Sequence, residues 1–246
     1  MSARSVTVLP DPDALADRAA DHFIELAVAA IAARDSAAVA LAGGSTPRAM
    51  NARLAAPPRR DQLDWTKVRF FFGDERCVPP DHADSNYRMT RETLFAPLGI
   101  PDSNVARIRG EDAPQAAASA YDALLESALG APPIFDIVYL GMGPDGHTAS
   151  LFPGTIATLA SRRYAVANFV PKFNSFRITL TPQVLNAARH VTITAAGAEK
   201  ADALAAVLNG PRDPDRYPAQ LVAPANGELH WFVDAAAAAQ LNLPVS

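Results

Sequence analysis

The stretch that decides the fold is residues 134–154, IFDIVYLGMGPDGHTASLFPG, in which an apolar run ends in a glycine-rich turn. Residues 134–140 have the composition of a β-strand buried on both faces, because the run is almost continuously apolar. The turn that follows places His147 among Asp145, two hydroxyl side chains and four glycines. Histidine is the side chain best suited to proton exchange near neutral pH. This stretch therefore predicts a functional histidine at the edge of a sheet.

Strand and helix patterns alternate on both sides of this stretch. Residues 11–34 carry apolar side chains three and four positions apart, which predicts an amphipathic helix with Asp11 or Asp13 as its N-cap. Further β-type runs lie at residues 38–41, 68–72, 164–170, 177–180, 191–194 and 230–233. This alternation predicts an α/β fold, a mostly parallel sheet with helices on both faces, and a small antiparallel layer within residues 164–180. No linker divides the chain, so we expect one domain over residues 1–246.

The composition of the 246-residue chain excludes several functional classes. Its net charge is −4, and no block of Lys or Arg forms the basic patch of a nucleic-acid-binding protein. The N-terminus lacks the pattern of a secretory signal, and no run reaches the ~18 apolar residues of a membrane span. The single Cys77 excludes an internal disulfide framework. We expect a cytoplasmic protein without nucleic-acid or membrane partners, present as a monomer or weak homo-oligomer.

Four of the predicted strands end in polar, turn-forming loops. The loops lie within LAGGSTPRAM (41–50), FFGDERCVPP (71–80), GMGPDGHTASLFPG (141–154) and TAAGAEKADAL (194–204). In open parallel sheets, the loops beyond the carboxyl ends of the strands converge on one crevice, where ligands bind. We therefore expect the four loops to share one site.

The first loop carries Gly44, Ser45 and Thr46 at a predicted helix start. Free N–H groups and hydroxyls at such a position can hold a phosphate. The spacing matches neither the P-loop nor the dinucleotide-binding fingerprint. The alternative is a tight turn without a ligand, in which Thr46 serves only as the N-cap.

The second and fourth loops supply charged candidates. Asp74, Glu75 and Arg76 follow the strand at 68–72, and Lys200 lies at the next helix start after Gly197. Arg76 could pair with a phosphate through its planar fork. The alternatives are a surface salt-bridge cluster for the triplet and a solvated helix lysine for Lys200.

Metal and covalent chemistry find little support in the sequence. The histidines at 22, 82, 147, 190 and 230 form no His-x-x-x-His pair, and the lone cysteine leaves no zinc-type cluster. Cys77 beside Arg76 is either an activated thiol or, in the interpretation we favour, a small buried side chain. No Gly-x-Ser-x-Gly motif marks a serine hydrolase. The sequence predicts a reaction without a metal or another cofactor.

With LAGGSTPRAM, FFGDERCVPPDHADSNYRMT, GMGPDGHTASLFPG and RITLTP in this order, nearly the whole chain resembles the 6-phosphogluconolactonases of the oxidative pentose phosphate pathway. The resemblance implies a Rossmann-like, mostly parallel sheet sandwiched between helices, as in the related glucosamine-6-phosphate deaminases. It also implies a metal-free hydrolase without a nucleotide cofactor. The implied substrate is a small-molecule sugar-phosphate lactone, 6-phospho-D-glucono-1,5-lactone.

The same resemblance implies residue roles. His147 is the expected catalytic base, with Asp145 as its neighbour and Asp74 as the acid of the second loop. The expected contacts at the phosphate end are Gly44, Ser45, Thr46, Arg76, Arg177 and Lys200. We expect neutral His147 to take a proton from the water that attacks C1 and to return it to the departing ring oxygen, which is worth ~10²–10⁴ in rate. Backbone N–H groups of residues 141–146, or a nearby cation, are the candidates for stabilising the carbonyl oxygen.

Two other functions stay open at this level. The first is an amino-sugar phosphate deaminase or isomerase, but the deaminases carry a glutamate five residues after the motif histidine, where this chain has Phe152. A phenylalanine cannot transfer a proton, so Phe152 argues against this function. The second is a non-catalytic sugar-phosphate sensor that uses the same crevice, because a fold does not determine a function.

Overall fold

The central sheet positions the loops predicted to carry function. The structure, a computed structural model, describes residues 4–159 and 162–242. Within these ranges the central sheet contains β1 (Arg4–Leu9), β2 (Ala37–Leu41), β3 (Val68–Phe72), β5 (Ile137–Gly141), β8 (His190–Ala195) and β9 (Glu228–Asp234). Their spatial order is β1-β9-β8-β5-β2-β3, and all neighbouring pairs are parallel. The predicted mostly parallel sheet is confirmed.

A second, antiparallel sheet lies beside the first. It contains β4 (Asp74–Arg76), β7 (Ser175–Leu180) and β6 (Ala165–Val170), in the order β4-β7-β6. The antiparallel layer predicted within residues 164–180 is therefore present. The prediction of a loop at residues 74–76 is wrong, because this segment pairs with β7. Gly73 joins the two sheets: its N–H donates to the carbonyl of Leu41 at 2.8 Å, and its own carbonyl accepts from the N–H of Leu180 at 2.8 Å.

Helices flank the central sheet. The α-helices of the described ranges are α1 (Pro12–Arg34), α2 (Ser45–Leu54), α3 (Asn86–Thr90), α4 (Ala96–Leu98), α5 (Pro114–Leu129), α6 (Pro182–Ala187) and α7 (Ala201–Leu208), with a π-helical segment Arg91–Phe95 between α3 and α4. Asp11, not Asp13, is the N-cap of α1, because its carboxylate accepts a hydrogen bond from the N–H of Ala14 at 2.8 Å. None of these helices is long and apolar enough to cross a membrane.

The core explains why the strands are apolar almost throughout. Every residue of β2 is buried, as are Phe70, Phe71 and Phe72 of β3. The predicted strands agree with these elements to within three residues at each end. The strand β1 was not predicted, because it lies at the edge of the sheet and its side chains are partly exposed.

Candidate active site

One crevice of about 220 Å³ opens beyond the carboxyl ends of the strands, and all four predicted loops contribute to it. It is lined by residues 42–47 of the first loop, Asp74 and Arg76 of the second, Gly141, Met142, Gly143, His147 and Ala149 of the third, Thr194 and Lys200 of the fourth, and Asn86. The predicted residues Asp145 and Arg177 lie outside this lining. Asp145 contacts His147 of the lining, and Arg177 is the cross-strand neighbour of Arg76.

The first loop presents a helix start to the crevice. Helix α2 begins directly after Gly44, and no side chain in the described part of the protein caps it. The suggestion that Thr46 is the N-cap is therefore wrong, since Thr46 lies inside the helix. The first N–H groups of α2 are left without a side-chain partner, and the positive end of the helix dipole lies at the crevice wall. Such a wall favours an anion.

The third loop pairs His147 with Asp145. The Asp145 carboxylate contacts Nδ1 of the imidazole and also accepts a hydrogen bond from the backbone N–H of His147 at 3.3 Å. An ionised carboxylate can only accept, so Nδ1 carries the proton in the neutral ring and Nε2 keeps its lone pair. Nε2 has no hydrogen-bond partner within residues 4–159 and 162–242. The ring is 23 % exposed and lines the crevice, so Nε2 is available to a substrate or water.

Two glycines make this turn possible. A Cβ at Gly143 would lie 2.1 Å from Cε1 of the His147 ring, so only glycine permits the close approach. Gly146 has φ +73°, in the left-handed region that glycine tolerates, and this conformation reverses the chain between Asp145 and His147. The reversal brings the carboxylate to the near ring nitrogen.

Lys172, in the hairpin between β6 and β7, forms an ion pair with Asp145. Its Nζ lies 3.0 Å from Oδ2 of Asp145. Burial favours the neutral carboxyl group, but hydrogen bonds and charge from His147 and then the contact with Lys172 hold the pKa of Asp145 well below its usual value. Asp145 therefore stays ionised and can orient the imidazole. The sequence alone assigned no contact to Lys172.

Phe152 packs against the ring of His147. The two rings stack with centroids 4.1 Å apart, and Phe173 meets the edge of Phe152 at 5.6 Å. The position at which the deaminases carry a glutamate thus holds a ring that fixes the plane of the imidazole. Because Phe152 is 6 % exposed, it also excludes water from one face of His147.

Asp74 forms a buried acidic wall of the crevice. Its Oδ2 accepts a hydrogen bond from the hydroxyl of Ser150 at 2.6 Å, and its Oδ1 accepts one from the side-chain amide of Asn86 at 3.2 Å. These contacts fix the carboxylate on two sides. Ser150 and Asn86 were not identified from the sequence, because nothing near them in the chain indicates that they meet Asp74.

Glu75 has an organising role. Its carboxylate is buried and accepts hydrogen bonds from the hydroxyl of Ser85 and from the backbone N–H groups of Arg76, Asn86 and Tyr87. Burial raises the pKa of Glu75 above its usual value, against the effect of these donors. The suggested surface salt-bridge cluster at residues 74–76 is therefore wrong. Glu75 instead ties the second loop to the start of α3.

Three cationic side chains lie at or next to the crevice. Arg76 and Arg177 are cross-strand neighbours on β4 and β7, and Lys200 of the fourth loop lines the crevice. None of the three forms an ion pair within the described ranges. Burial, and then the charge of Arg76, lower the pKa of Arg177, and burial lowers the pKa of Lys200. The suggestion that Lys200 is a solvated helix lysine is wrong, because the residue is partly buried at the crevice.

The N–H groups of the third loop are mostly occupied. Met142 donates to Thr194, Gly143 donates to the carbonyl of His147, and Gly146 donates to the carbonyl of Gly143. These three backbone donors are therefore not free for a substrate oxygen. Of the two candidates for stabilising the carbonyl oxygen, the arrangement favours a cation.

Cys77 is partly buried, and burial raises the pKa of its thiol. A raised pKa keeps the thiol protonated near neutral pH, which makes it a poor nucleophile. An activated cysteine is therefore not supported, and the thiol fits the interpretation of a small packed side chain.

Comparison with known proteins adds an independent line of support. Residues 10–231 match the family model "Glucosamine-6-phosphate isomerases/6-phosphogluconolactonase". The chain is 40 % identical to a 6-phosphogluconolactonase of Nostoc sp., over 98 % of this chain and 99 % of the relative. The structure of the Trypanosoma brucei 6-phosphogluconolactonase superposes with a TM-score of 0.87 at 31 % identity, covering 98 % of this chain and 100 % of that one. A monomeric glucosamine-6-phosphate deaminase shares the fold, with a TM-score of 0.80 at 21 % identity over 96 % of this chain and 99 % of that one.

Proposed function

The chain belongs to the family of glucosamine-6-phosphate isomerases and 6-phosphogluconolactonases, and from this premise we propose how its crevice hydrolyses 6-phospho-D-glucono-1,5-lactone to 6-phospho-D-gluconate. The relatives that cover nearly all of the chain are named 6-phosphogluconolactonases. The activity is therefore that of a carboxylic ester hydrolase in the oxidative pentose phosphate pathway. The observation that carries the mechanism is the oriented imidazole of His147 in a crevice that Arg76 and Lys200 also line.

The phosphate binds at the cationic end of the crevice. The N–H groups at the start of α2 and the side chains of Ser45 and Thr46 donate hydrogen bonds to it, while Arg76 and Lys200 neutralise its charge. Arg177 strengthens the local positive field from behind Arg76. Because the phosphate is remote from C1, these contacts orient the lactone and do not take part in bond breaking.

Proton transfer is the task of His147. Nε2 accepts a proton from water as the water oxygen attacks the C1 carbonyl, and the imidazolium is stabilised by the Asp145 carboxylate at Nδ1. When the tetrahedral intermediate collapses, the ester C–O bond breaks and Nε2 returns the proton to the departing ring oxygen. Asp74 accepts hydrogen bonds from sugar hydroxyls and so fixes the ring opposite His147.

The test is a pH-stat assay with freshly generated lactone, corrected for spontaneous hydrolysis. We expect the purified protein to accelerate acid release, and the His147→Ala variant to lose the acceleration while it still binds 6-phosphogluconate. Glucono-lactone without the phosphate is the control substrate and should be turned over poorly. Near-wild-type turnover by His147→Ala would contradict the assignment of the base.

A deaminase or a sensor would give different results. Ammonia release from glucosamine 6-phosphate would identify a deaminase, against which Phe152 argues because it has no transferable proton. Binding of 6-phosphogluconate without lactone turnover would identify a sensor. We further propose that the whole chain forms one domain, that it acts in the cytoplasm as a monomer or weak homo-oligomer, and that it has no nucleic-acid partner.

A further inference from the structure

A group of metal-ligating side chains lies at the edge of the central sheet opposite the crevice, where β8 and β9 begin. His190 is the first residue of β8 and pairs with Glu228, the first residue of β9. Glu228 and His230 are two positions apart on β9, so their side chains project from the same face of the sheet. Two imidazoles and one carboxylate therefore meet across adjacent strands, and we refer to His190, Glu228 and His230 as the histidine cluster.

The spacing of the cluster matches a tetrahedral ion. Oε2 of Glu228 lies 3.1 Å from Nε2 of His230 and 3.5 Å from Nδ1 of His190. The three ligand atoms all lie within 4.8 Å of one another. Zinc–nitrogen and zinc–oxygen bonds of about 2.0–2.2 Å at tetrahedral angles separate neighbouring ligands by about 3.3–3.6 Å. The cluster thus needs only small side-chain shifts to hold such an ion.

A second observation also indicates a ligand. Nδ1 of His190 is buried and has no hydrogen-bond partner within the described part of the chain, although a buried polar atom is normally paired. A metal ion would supply the partner that Nδ1 lacks.

The surroundings orient His230 for coordination. Its Nδ1 is 2.9 Å from the hydroxyl of Ser5 on β1, which leaves Nε2 directed at Glu228. The ring of buried His22 packs edge-on against it, with centroids 4.7 Å apart. A metal-bound histidine typically has its other nitrogen fixed in this way by an outer partner.

We propose that His190, Glu228 and His230 bind a divalent transition-metal ion of the zinc class, with water completing its coordination. The ion would link β8 to β9 and has no part in the lactone reaction, which takes place at the other edge of the sheet. Two histidines and one glutamate form a ligand set that zinc uses in proteins.

The test uses the full chain, stripped with a chelator and then titrated with zinc sulfate in a calorimeter, with bound metal counted by mass spectrometry of the elements. We expect one equivalent in the wild type and a more than tenfold weaker affinity in Glu228→Gln and His190→Asn, because each removes a ligand. Ser5→Ala should weaken binding by about tenfold, as expected for an outer partner. The melting temperature should rise with zinc in the wild type and not in Glu228→Gln.

Two controls separate this site from others. His82→Asn removes an exposed histidine elsewhere, and His147→Asn removes the crevice imidazole, so both should retain one equivalent of zinc. If His190→Asn fails to fold, Glu228→Gln decides, because the Glu228 side chain is 54 % exposed and its replacement leaves the core intact. No bound zinc in the wild type, or equal affinity in the wild type and Glu228→Gln, would overturn the proposal and identify the cluster as a proton-sharing ion pair.

Discussion

Two acid–histidine pairs with the same spacing lie at opposite edges of the central sheet. Asp145 and His147 are separated by Gly146 in a turn, whereas Glu228 and His230 are separated by Leu229 in an extended strand. In the turn, the carboxylate contacts Nδ1, and Nε2 of the crevice-lining ring makes no hydrogen bond to any residue that the structure describes. In the strand, the carboxylate meets Nε2 while Nδ1 is held by Ser5.

The difference teaches that the backbone between acid and imidazole decides which nitrogen remains available. A left-handed glycine produces a base with a free lone pair, and an extended residue produces a ring engaged at both nitrogens. Acid-x-His spacing alone therefore does not identify a catalytic pair. The Asp145–His147 pair is further distinguished by the position of His147 in a crevice that Arg76 and Lys200 also line.

The largest difference between the pairs should appear when each histidine is replaced. We expect His147→Asn to lower kcat for the lactone by ~10²–10⁴, because the base is lost. His230→Asn lies far from the crevice and should change kcat by no more than about twofold. Both variants are measured in the pH-stat with a correction for spontaneous hydrolysis. Equal losses in the two variants would remove the functional distinction between the pairs.

Replacing the carboxylate of each pair should give a second, smaller difference in kcat. Asp145→Asn removes the charge that stabilises the imidazolium, and we expect kcat to fall by about 10–100-fold, the value of a hydrogen bond to a charged group. Glu228→Gln makes the same chemical change at the other pair and should leave kcat within about twofold of the wild type. The KM of Asp145→Asn should change little, because the phosphate contacts are intact. A loss confined to KM would argue against an electrostatic role for Asp145.

The contribution of Lys200 to the crevice can be tested by pH. Burial lowers the pKa of Lys200, so the ammonium group loses its proton as the pH rises, at a lower pH than an exposed lysine would. We expect the Kd for 6-phosphogluconate to rise by about tenfold between neutral and alkaline pH as this charged contact is lost. The phosphate is already dianionic above neutral pH, so it does not cause the change.

The control for that titration is Lys200→Arg, whose guanidinium stays protonated over the whole range. Its Kd for 6-phosphogluconate should stay nearly constant with pH in calorimetric titrations. If the wild-type Kd is independent of pH up to strongly alkaline values, Lys200 does not contribute to binding the phosphate.

The smallest effect concerns the phenyl ring that stacks on His147 at a centroid distance of 4.1 Å, whereas the ring stacked with His230 is that of His190, at 6.4 Å. Phe152→Leu removes the stacked face, and we expect kcat to fall about 2–10-fold with little change in KM. Phe152→Tyr keeps the ring and should restore most of kcat, which a purely structural role in the core would not require. An unchanged kcat in Phe152→Leu at wild-type stability would show that the imidazole needs no such support.

The fold was largely predictable because it rests on local patterns. Continuous apolar runs mark strands buried on both faces, and the loops at their ends converge as parallel topology requires. The edge strand β1 and the charged strand β4 escaped prediction, since neither has an apolar run and both depend on partners remote in sequence.

The candidate site was predictable only in part, for the same reason. Gly44 to Thr46 and His147 lie in motifs whose spacing is local, whereas Asn86 and Ser150 reach Asp74 from distant parts of the chain. The histidine cluster does not follow from helical His-x-x-x-His spacing. Its members instead meet across two neighbouring strands, at register pairs that a single sequence does not reveal.

Gly73 forms hydrogen bonds to both sheets, through its N–H to β2 and through its carbonyl to β7. The floor of the crevice and the wall that carries Arg76 are therefore parts of one hydrogen-bonded frame, to which this peptide contributes a bond on each side. An inhibitor shaped to this frame would contact nearly the same binding surface before and after each turnover. Inhibitors should consequently gain more from rigid scaffolds with a fixed anionic group than from flexible chains that follow a moving wall.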